Sequence, residues 1–297
     1  MITLAHISDI HLSPMPPIAL RDLVGKRLTG YLNWKLRRNE ELNSETLASL
    51  VAHLQGQNAD FTAVTGDLVN LALDFEMDRA AKWLQALGGA DKVAVCPGNH
   101  DAYVAGALES AQRAWGNYMH GETLDGHVFP FVRRIGELAV VSCSSAVPTR
   151  PFLAIGRFDE AQAERLSRIL KVMGEADYFR VVMIHHPPNP ELQHPSFGLK
   201  GNKLFRQVIA ENGAELILHG HTHRSSIHSI PGKDREVPVV GVAAASAAQG
   251  GTLDDPARYN LFRIERMGDG TWSCTMREYG FQRLGSDIVM RLQMRIC

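Results

Sequence analysis

The chain has 297 residues, 45% of them hydrophobic, enough to bury the core of one large domain or two small ones. With 31 Lys and Arg against 32 Asp and Glu the formal net charge is −1, so no charge excess points to a nucleic-acid polymer or an acidic partner. No apolar stretch reaches the roughly 20 residues of a membrane-crossing helix and no signal-like segment precedes the first apolar run, so a cytoplasmic protein is expected.

Apolar runs at residues 2–8, 61–65, 92–96, 138–143, 180–185, 214–218 and 237–243 predict strands, and 259–265 and 272–277 add two more near the end. Between them, apolar residues recur at helical spacing over 44–54, 75–87, 102–118, 159–173 and 201–211, the first with a cap at Ser44. Alternating strands and helices followed by clustered strands predict an α/β layered domain with some mixed or antiparallel sheet. Cys96, Cys143, Cys274 and Cys297 show no C-x-x-C spacing, and Cys96 and Cys143 lie in apolar runs, which suits buried thiols in a reducing compartment.

Five short clusters end, or nearly end, these runs: Asp9-x-His11, Gly66-Asp67, Gly98-Asn99-His100-Asp101, His185-His186-Pro187 and Gly220-His221-Thr222-His223. A strand end fixes the backbone while the loop beyond it lets side chains converge. Asp9 and His11, like His221 and His223, are two apart and point to the same side in an extended segment. Asp67 carries two oxygens and can bridge two ions. Asn99 offers a neutral carbonyl oxygen, and His185 is preferred over His186 as a ligand. Asp9 and Asp67 are then the only anionic ligands, so two divalent cations and a bridging hydroxide leave the centre at a net charge of about +1, attractive to a phosphate ester. His100 is placed to protonate a leaving alkoxide or hold a phosphoryl oxygen, with Asp101 orienting its ring. Asn70 is given a local hydrogen-bonding role, and His219 a structural one. Mixed oxygen and nitrogen ligands suit Mn, Fe, Zn or Co.

In order and spacing these residues resemble the calcineurin-like metallophosphoesterase superfamily, whose pattern D-x-H, G-D-x-x-[DN], G-N-H-[DE], H and G-H-x-H runs from Asp9 to His223. The resemblance implies a four-layer αββα sandwich with two mixed β-sheets. It implies one ion held by Asp9, His11, Asp67 and His223, and a second by Asp67, Asn99, His185 and His221. The motif forms are most similar to the bacterial cyclic-nucleotide and glycerophosphodiester phosphodiesterase branch. The expected reaction is hydrolysis of a small-molecule or lipid phosphoric diester. The alternatives are a phosphomonoesterase, a lipid pyrophosphate hydrolase, or a protein that binds phosphate ligands without turnover.

Residues 1–280 are expected to form the catalytic domain. Within it, residues 12–40 follow the first ligand pair and form a possible cap on the substrate side. Leu20, Leu23, Val24, Leu28, Tyr31, Leu32 and Leu36 recur there at helical spacing among Arg21, Lys26, Arg27, Lys35, Arg37 and Arg38, with Trp34 nearby. Such a helix either packs on the domain edge or, through residues 20–38, meets an anionic lipid surface as a peripheral membrane contact. Residues 281–297 form a C-terminal extension whose period-two alternation over 290–296 predicts a strand that covers a sheet edge or joins a homo-oligomer; Ser286-Asp287 could instead cap a short helix.

Overall fold

A computed structural model describes residues 1–35, 43–247, 255–281 and 287–297. Leu36, Arg37, Arg38 and Ser286 lie outside them. The elements in order are β1 (Ile2–Ile7), α1 (Lys26–Asn33), α2 (Ser44–Gly56), β2 (Phe61–Val64), α3 (Asp74–Leu87), β3 (Val93–Val95), α4 (Ala107–Trp115), β4 (Glu122–Thr123), β5 (Phe131–Ile135) and β6 (Leu138–Ser142). Then follow β7 (Gly156–Arg157), α5 (Glu160–Glu175), β8 (Phe179–Met183), β9 (Leu199–Lys200), α6 (Asn202–Asn212), β10 (Leu216–His219), β11 (Ser226–Pro231), β12 (Glu236–Gly241), β13 (Arg258–Arg266), β14 (Trp272–Phe281) and β15 (Ile288–Arg295).

Two large mixed sheets organise the molecule. One has the strand order β15-β14-β13-β1-β2-β3, the other β11-β12-β10-β8-β6-β5-β4. In the first, β1, β2 and β3 are parallel and β13 pairs antiparallel to β1. In the second, β6, β8, β10 and β12 are parallel. Side chains that alternate along a strand show how the sheets are covered. Leu138, Val140, Val181, Met183, Leu216 and Leu218 join the core that contains the first sheet and helices α2, α3 and α4. Their neighbours Ala139, Val141, Val182, Ile184 and Ile217 face a second core with Leu166 and Leu170 of α5 and Phe205 of α6. The result is helices, sheet, sheet, helices, the expected four-layer sandwich. Each fully buried aliphatic or aromatic side chain contributes about 1.5–3 kcal/mol of transfer free energy to it.

The predicted strands are present, with ends shifted by one or two residues, or by as many as four at β14. Three details differ. The helical pattern over 102–118 yields a helix only at Ala107–Trp115, because Gly106 before it lies in the left-handed region at φ 80°, which interrupts a right-handed helix. Asn43 rather than Ser44 caps α2, its Oδ1 accepting from the N–H groups of Glu45 and Thr46. The stripe over 20–35 is broken at Gly25, whose φ of 63° favours glycine, so α1 starts only at Lys26. The alternating C-terminal segment is the edge strand β15, paired with β14, with Met290, Leu292 and Met294 exposed.

Candidate metal centre

All five clusters meet at the C-terminal ends of parallel strands. Asp9 and His11 follow β1, Asp67 follows β2, Asn99 and His100 follow β3, His185 follows β8, and His221 and His223 follow β10. The sandwich therefore builds the site half from each sheet. Loops cross closely here: a Cβ on Gly98 would collide with Asp67 Oδ1, and one on Gly220 with Ser8 Oγ. Asp9, His11, Asp67, His221 and His223 all have positive φ, between 40° and 70°. Asp and His enter this region more readily than most residues, but each instance costs on the order of 1–3 kcal/mol, so the surrounding fold holds them there.

Each carboxylate has one oxygen tied to the backbone and the other turned inward. Asp9 Oδ2 accepts from the His221 N–H (3.0 Å) and Asp67 Oδ1 from the His100 N–H (2.7 Å). Asp9 Oδ1 is buried without a hydrogen bond, 3.4 Å from His223 Nε2 and 4.0 Å from His11 Nε2. Asp67 Oδ2 lies 3.3 Å from His185 Nε2 and 3.9 Å from His11 Nε2. This one oxygen faces both groups of histidines, so a bridge through Asp67 would use Oδ2 rather than both oxygens.

The histidine rings are oriented by backbone carbonyls. His11 Nδ1 is 3.2 Å from Val69 O, and His185 Nδ1 is 2.6 Å from Thr65 O. A ring that donates Nδ1–H to a carbonyl turns the Nε2 lone pair to the other side. On that side His11 Nε2 is 3.3 Å from His223 Nε2, and His185 Nε2 is 3.2 Å from Asn99 Oδ1. Lone pairs brought together in a buried space repel unless a proton or a cation sits between them. His221 is held the other way round, Nε2 on the Phe197 carbonyl at 2.8 Å, leaving Nδ1 for the cluster. Asp9, His11 and His223 can together hold one ion, and Asp67, His185 and His221 another. The donor set thus fits a pair of cations.

The electrostatics agree. Burial opposes ionisation of Asp9 and Asp67, yet His223 and His185 beside Asp9, and His185 and His100 beside Asp67, hold both carboxyls below the usual range. Burial lowers the pKa of His185, but the Asp67 charge overrides it and raises it to about 9. Burial and the neighbouring His185 take His221 down to about 3, a neutral ligand at any ordinary pH.

His100 groups with His11 and Asp67, its ring edge-on to His11 and stacked on Tyr103 with centroids 5.2 Å apart. Asp101 does not orient it as expected. Both Asp101 oxygens accept from backbone N–H groups, those of Asp67 and Gly98 on Oδ2 and that of Leu68 on Oδ1, each at 2.9 Å. Burial and the charge of Asp67 raise its pKa to about 7. Asp101 is thus the clamp that joins the β2 and β3 loops. The partner of His100 Nδ1 is the Asn70 carbonyl at 2.6 Å, while the Asn70 side chain donates to Leu12 O. Glu76, unremarked in the sequence, fixes that carbonyl: its buried carboxylate accepts from Asn70, Leu71 and Leu73 N–H. Its place in the first turn of α3 was the available signal. His186 packs under His221, with ring centroids 4.2 Å apart, and pairs with Ser145 and the Ala154 carbonyl. His219 is buried with its Nδ1 near Gly220 O, as a structural residue would be.

The sequence profile of calcineurin-like phosphoesterases matches residues 2–225, well over half of the chain. The chain belongs to the calcineurin-like phosphoesterase family. Members of this family are hydrolases of small-molecule phosphoesters that work with a dinuclear divalent metal centre. Among solved structures, a dimetal phosphatase from Danio rerio is similar at 13% identity and a TM-score of 0.65, over 97% of this chain and 98% of that one. The purple acid phosphatase PPD1 of yellow lupin is similar at 9% identity and a TM-score of 0.56, over 97% of this chain but 53% of its own. The NAD nucleotidase of Haemophilus influenzae is similar at 10% identity and a TM-score of 0.50, over 99% and 49%. At such identities the likeness is one of fold. No curated protein matches the sequence. No helix among the described residues of this phosphoesterase is long and apolar enough to cross a membrane.

Proposed function

We propose that the chain hydrolyses phosphoric diesters, with Asp9, His11, Asp67 and His223 around one ion and Asp67, Asn99, His185 and His221 around the other. The observation that carries this reading is Asp67 Oδ2, which faces His185 and His11 at once. When bound, such a pair of ions supplies Lewis acidity toward the phosphoryl oxygens and activates the attacking water. The chain's own groups do the rest. The carbonyls of Val69 and Thr65 keep the Nε2 lone pairs of His11 and His185 turned inward. His100, held at Nδ1 by Asn70, protonates the departing alkoxide from its other nitrogen. A diester carries one charge and a poor leaving group, so a proton donor beside an electropositive centre suits it better than it suits a dianionic monoester. The motif forms favour the bacterial cyclic-nucleotide and glycerophosphodiester branch.

The metal-loaded protein is expected to turn over bis(4-nitrophenyl) phosphate faster than 4-nitrophenyl phosphate. Faster monoester cleavage would move the assignment to a phosphomonoesterase, and no turnover of either after Mn²⁺ loading would leave only a phosphate-binding role. The rim adds an apolar component. Val24, Leu28 and Leu32 are exposed around α1, and Phe152 beside the cavity that contains Asn99 and His100 is also exposed. We read this rim as a surface for the apolar part of an amphiphilic ester or for a lipid surface. Flotation with anionic liposomes by the wild type, lost in Leu28→Asp/Leu32→Asp, is the expected result; a wild type that stays at the bottom of the gradient removes the membrane contact.

A further inference from the structure

Lys26 opens α1, but its side chain turns inward and is only 9% exposed. The ammonium donates to Thr149 Oγ1 at 2.5 Å and to the Leu153 carbonyl at 3.2 Å, and stands 4.3 Å from the centre of the Tyr103 ring. Among the described residues no carboxylate pairs with it. A buried cation with only neutral partners is costly, and the cost falls when an anion joins it. Burial lowers its pKa to about 8, with Asp67 the charge that opposes the shift. Two of the three N–H donors are engaged, which leaves one for a ligand.

That donor shares a cavity of about 170 Å³ with the reaction centre. Lys26 and Tyr103 line it together with Asn99, a metal-ligand candidate, and His100. The placement is enforced. Arg27, next in sequence, donates to the carbonyls of Leu71 and Ala72, in the same loop whose Asn70 carbonyl holds His100. Gly30, one turn on, lets α1 close onto the Tyr103 hydroxyl, where a Cβ would collide. The helix that carries Lys26 is therefore pinned to the wall that carries the proposed acid.

We propose that Lys26 binds a second phosphate of the substrate, adjacent to the one that reacts, and so favours pyrophosphate-type diesters over diesters with a single phosphate. This rests on the metal-dependent diesterase reading above and narrows it. In the step, a water oxygen forms a bond to the reacting phosphorus and the bond from that phosphorus to the bridging oxygen breaks. The bridging oxygen keeps the electron pair and leaves with the second phosphate. The proton given up by the water balances the two phosphomonoester products. Lys26 holds the second phosphate in the ground state and meets the charge that grows on it as it leaves.

A matched pair of substrates tests this: bis(4-nitrophenyl) phosphate, and the bis(4-nitrophenyl) ester of pyrophosphate, which differs by one phosphate. Cleavage of both by the Mn²⁺-loaded protein is followed by ³¹P NMR. The wild type is expected to have the higher kcat/KM on the pyrophosphate ester. In Lys26→Met the ratio of the two kcat/KM values should fall about tenfold to a hundredfold, chiefly through KM for the pyrophosphate ester, the loss of one charge-assisted hydrogen bond. Lys26→Arg should recover part of the ratio, which a folding defect would not allow. An unchanged ratio in Lys26→Met, or a wild type that cleaves only the single-phosphate ester, overturns the role of Lys26 and leaves the diesterase reading intact. A wild type that cleaves neither ester overturns the diesterase reading itself, and the proposal with it.

Discussion

Asp9, Asp67, Asn99, His185 and His221 leave the ends of parallel strands, and backbone groups at those ends set them: the His100 N–H after the next strand holds Asp67, and the His221 N–H and the Thr65 carbonyl, each from the opposite sheet, hold Asp9 and His185. Lys26, Trp34 and Tyr103 belong to the rim, and their positions depend on contacts across the chain: Lys26 with Thr149 and Leu153, Arg27 with Leu71 and Ala72. The floor is thus built where strand ends of the two sheets meet. The rim is a product of side-chain packing, and that is where one member of such a family can differ from another in what it accepts.

The hardest blow to the floor is Asp67→Ala. It removes the oxygen that faces both histidine groups, and turnover should fall about a thousandfold or more together with loss of bound metal. Steady-state kinetics with metal analysis on the same samples reads both, and a variant that keeps two ions would contradict the bridging role. Next is His100→Ala, expected to slow turnover by about 10²- to 10⁴-fold with metal content retained. If metal is lost as well, His100 belongs to the ligand set and not to the acid. Asp101→Ala should act on stability rather than on chemistry. It strands three buried backbone N–H groups, each worth about 1–3 kcal/mol, and should lower the urea midpoint of unfolding in the metal-free protein.

The smallest effect belongs beneath the floor. His6 is fully buried, bonded through Nε2 to Thr65 Oγ1, and burial with the nearby His219 lowers its pKa from 6.5 to about 3. Its folded-state pKa is depressed, so below pH 6.5 the unfolded chain takes up a proton that the folded one refuses. The stability is present above pH 6.5 and lost as pH falls toward 3, with His6 alone contributing a slope of about 1.4 kcal/mol per pH unit. His6→Gln should flatten the fall in unfolding free energy between pH 6.5 and 5 by about that slope; an unaltered profile would show that His6 is protonated in the folded state.

Much of the floor was legible in the sequence because its signals are local. Each ligand candidate sits at a fixed offset from an apolar run, and Asp-x-His and His-x-His spacings survive any small shift of strand ends. The alternation of strands and helices likewise announced the layers. What was not legible depends on partners far away in the chain. Nothing near Asp101 shows that its carboxylate serves the Asp67 and Leu68 N–H groups, 34 and 33 residues earlier. Nothing near Lys26 shows Thr149. The strand β5, one in from the sheet edge, and the edge strand β11 mix polar with apolar residues and carry no continuous apolar run, which hid them. Gly25 could be seen, but only its positive φ shows that it ends one stripe and starts another.

The central claim is that one carboxylate oxygen lies between two metal sites. The direct measurement is metal content per chain after Mn²⁺ reconstitution and removal of free ions, with Asp67→Ala alongside. Two ions per wild-type chain, and fewer in Asp67→Ala, are the predicted result; a wild-type chain that retains one ion or none, or a variant that retains as many as the wild type, would contradict it.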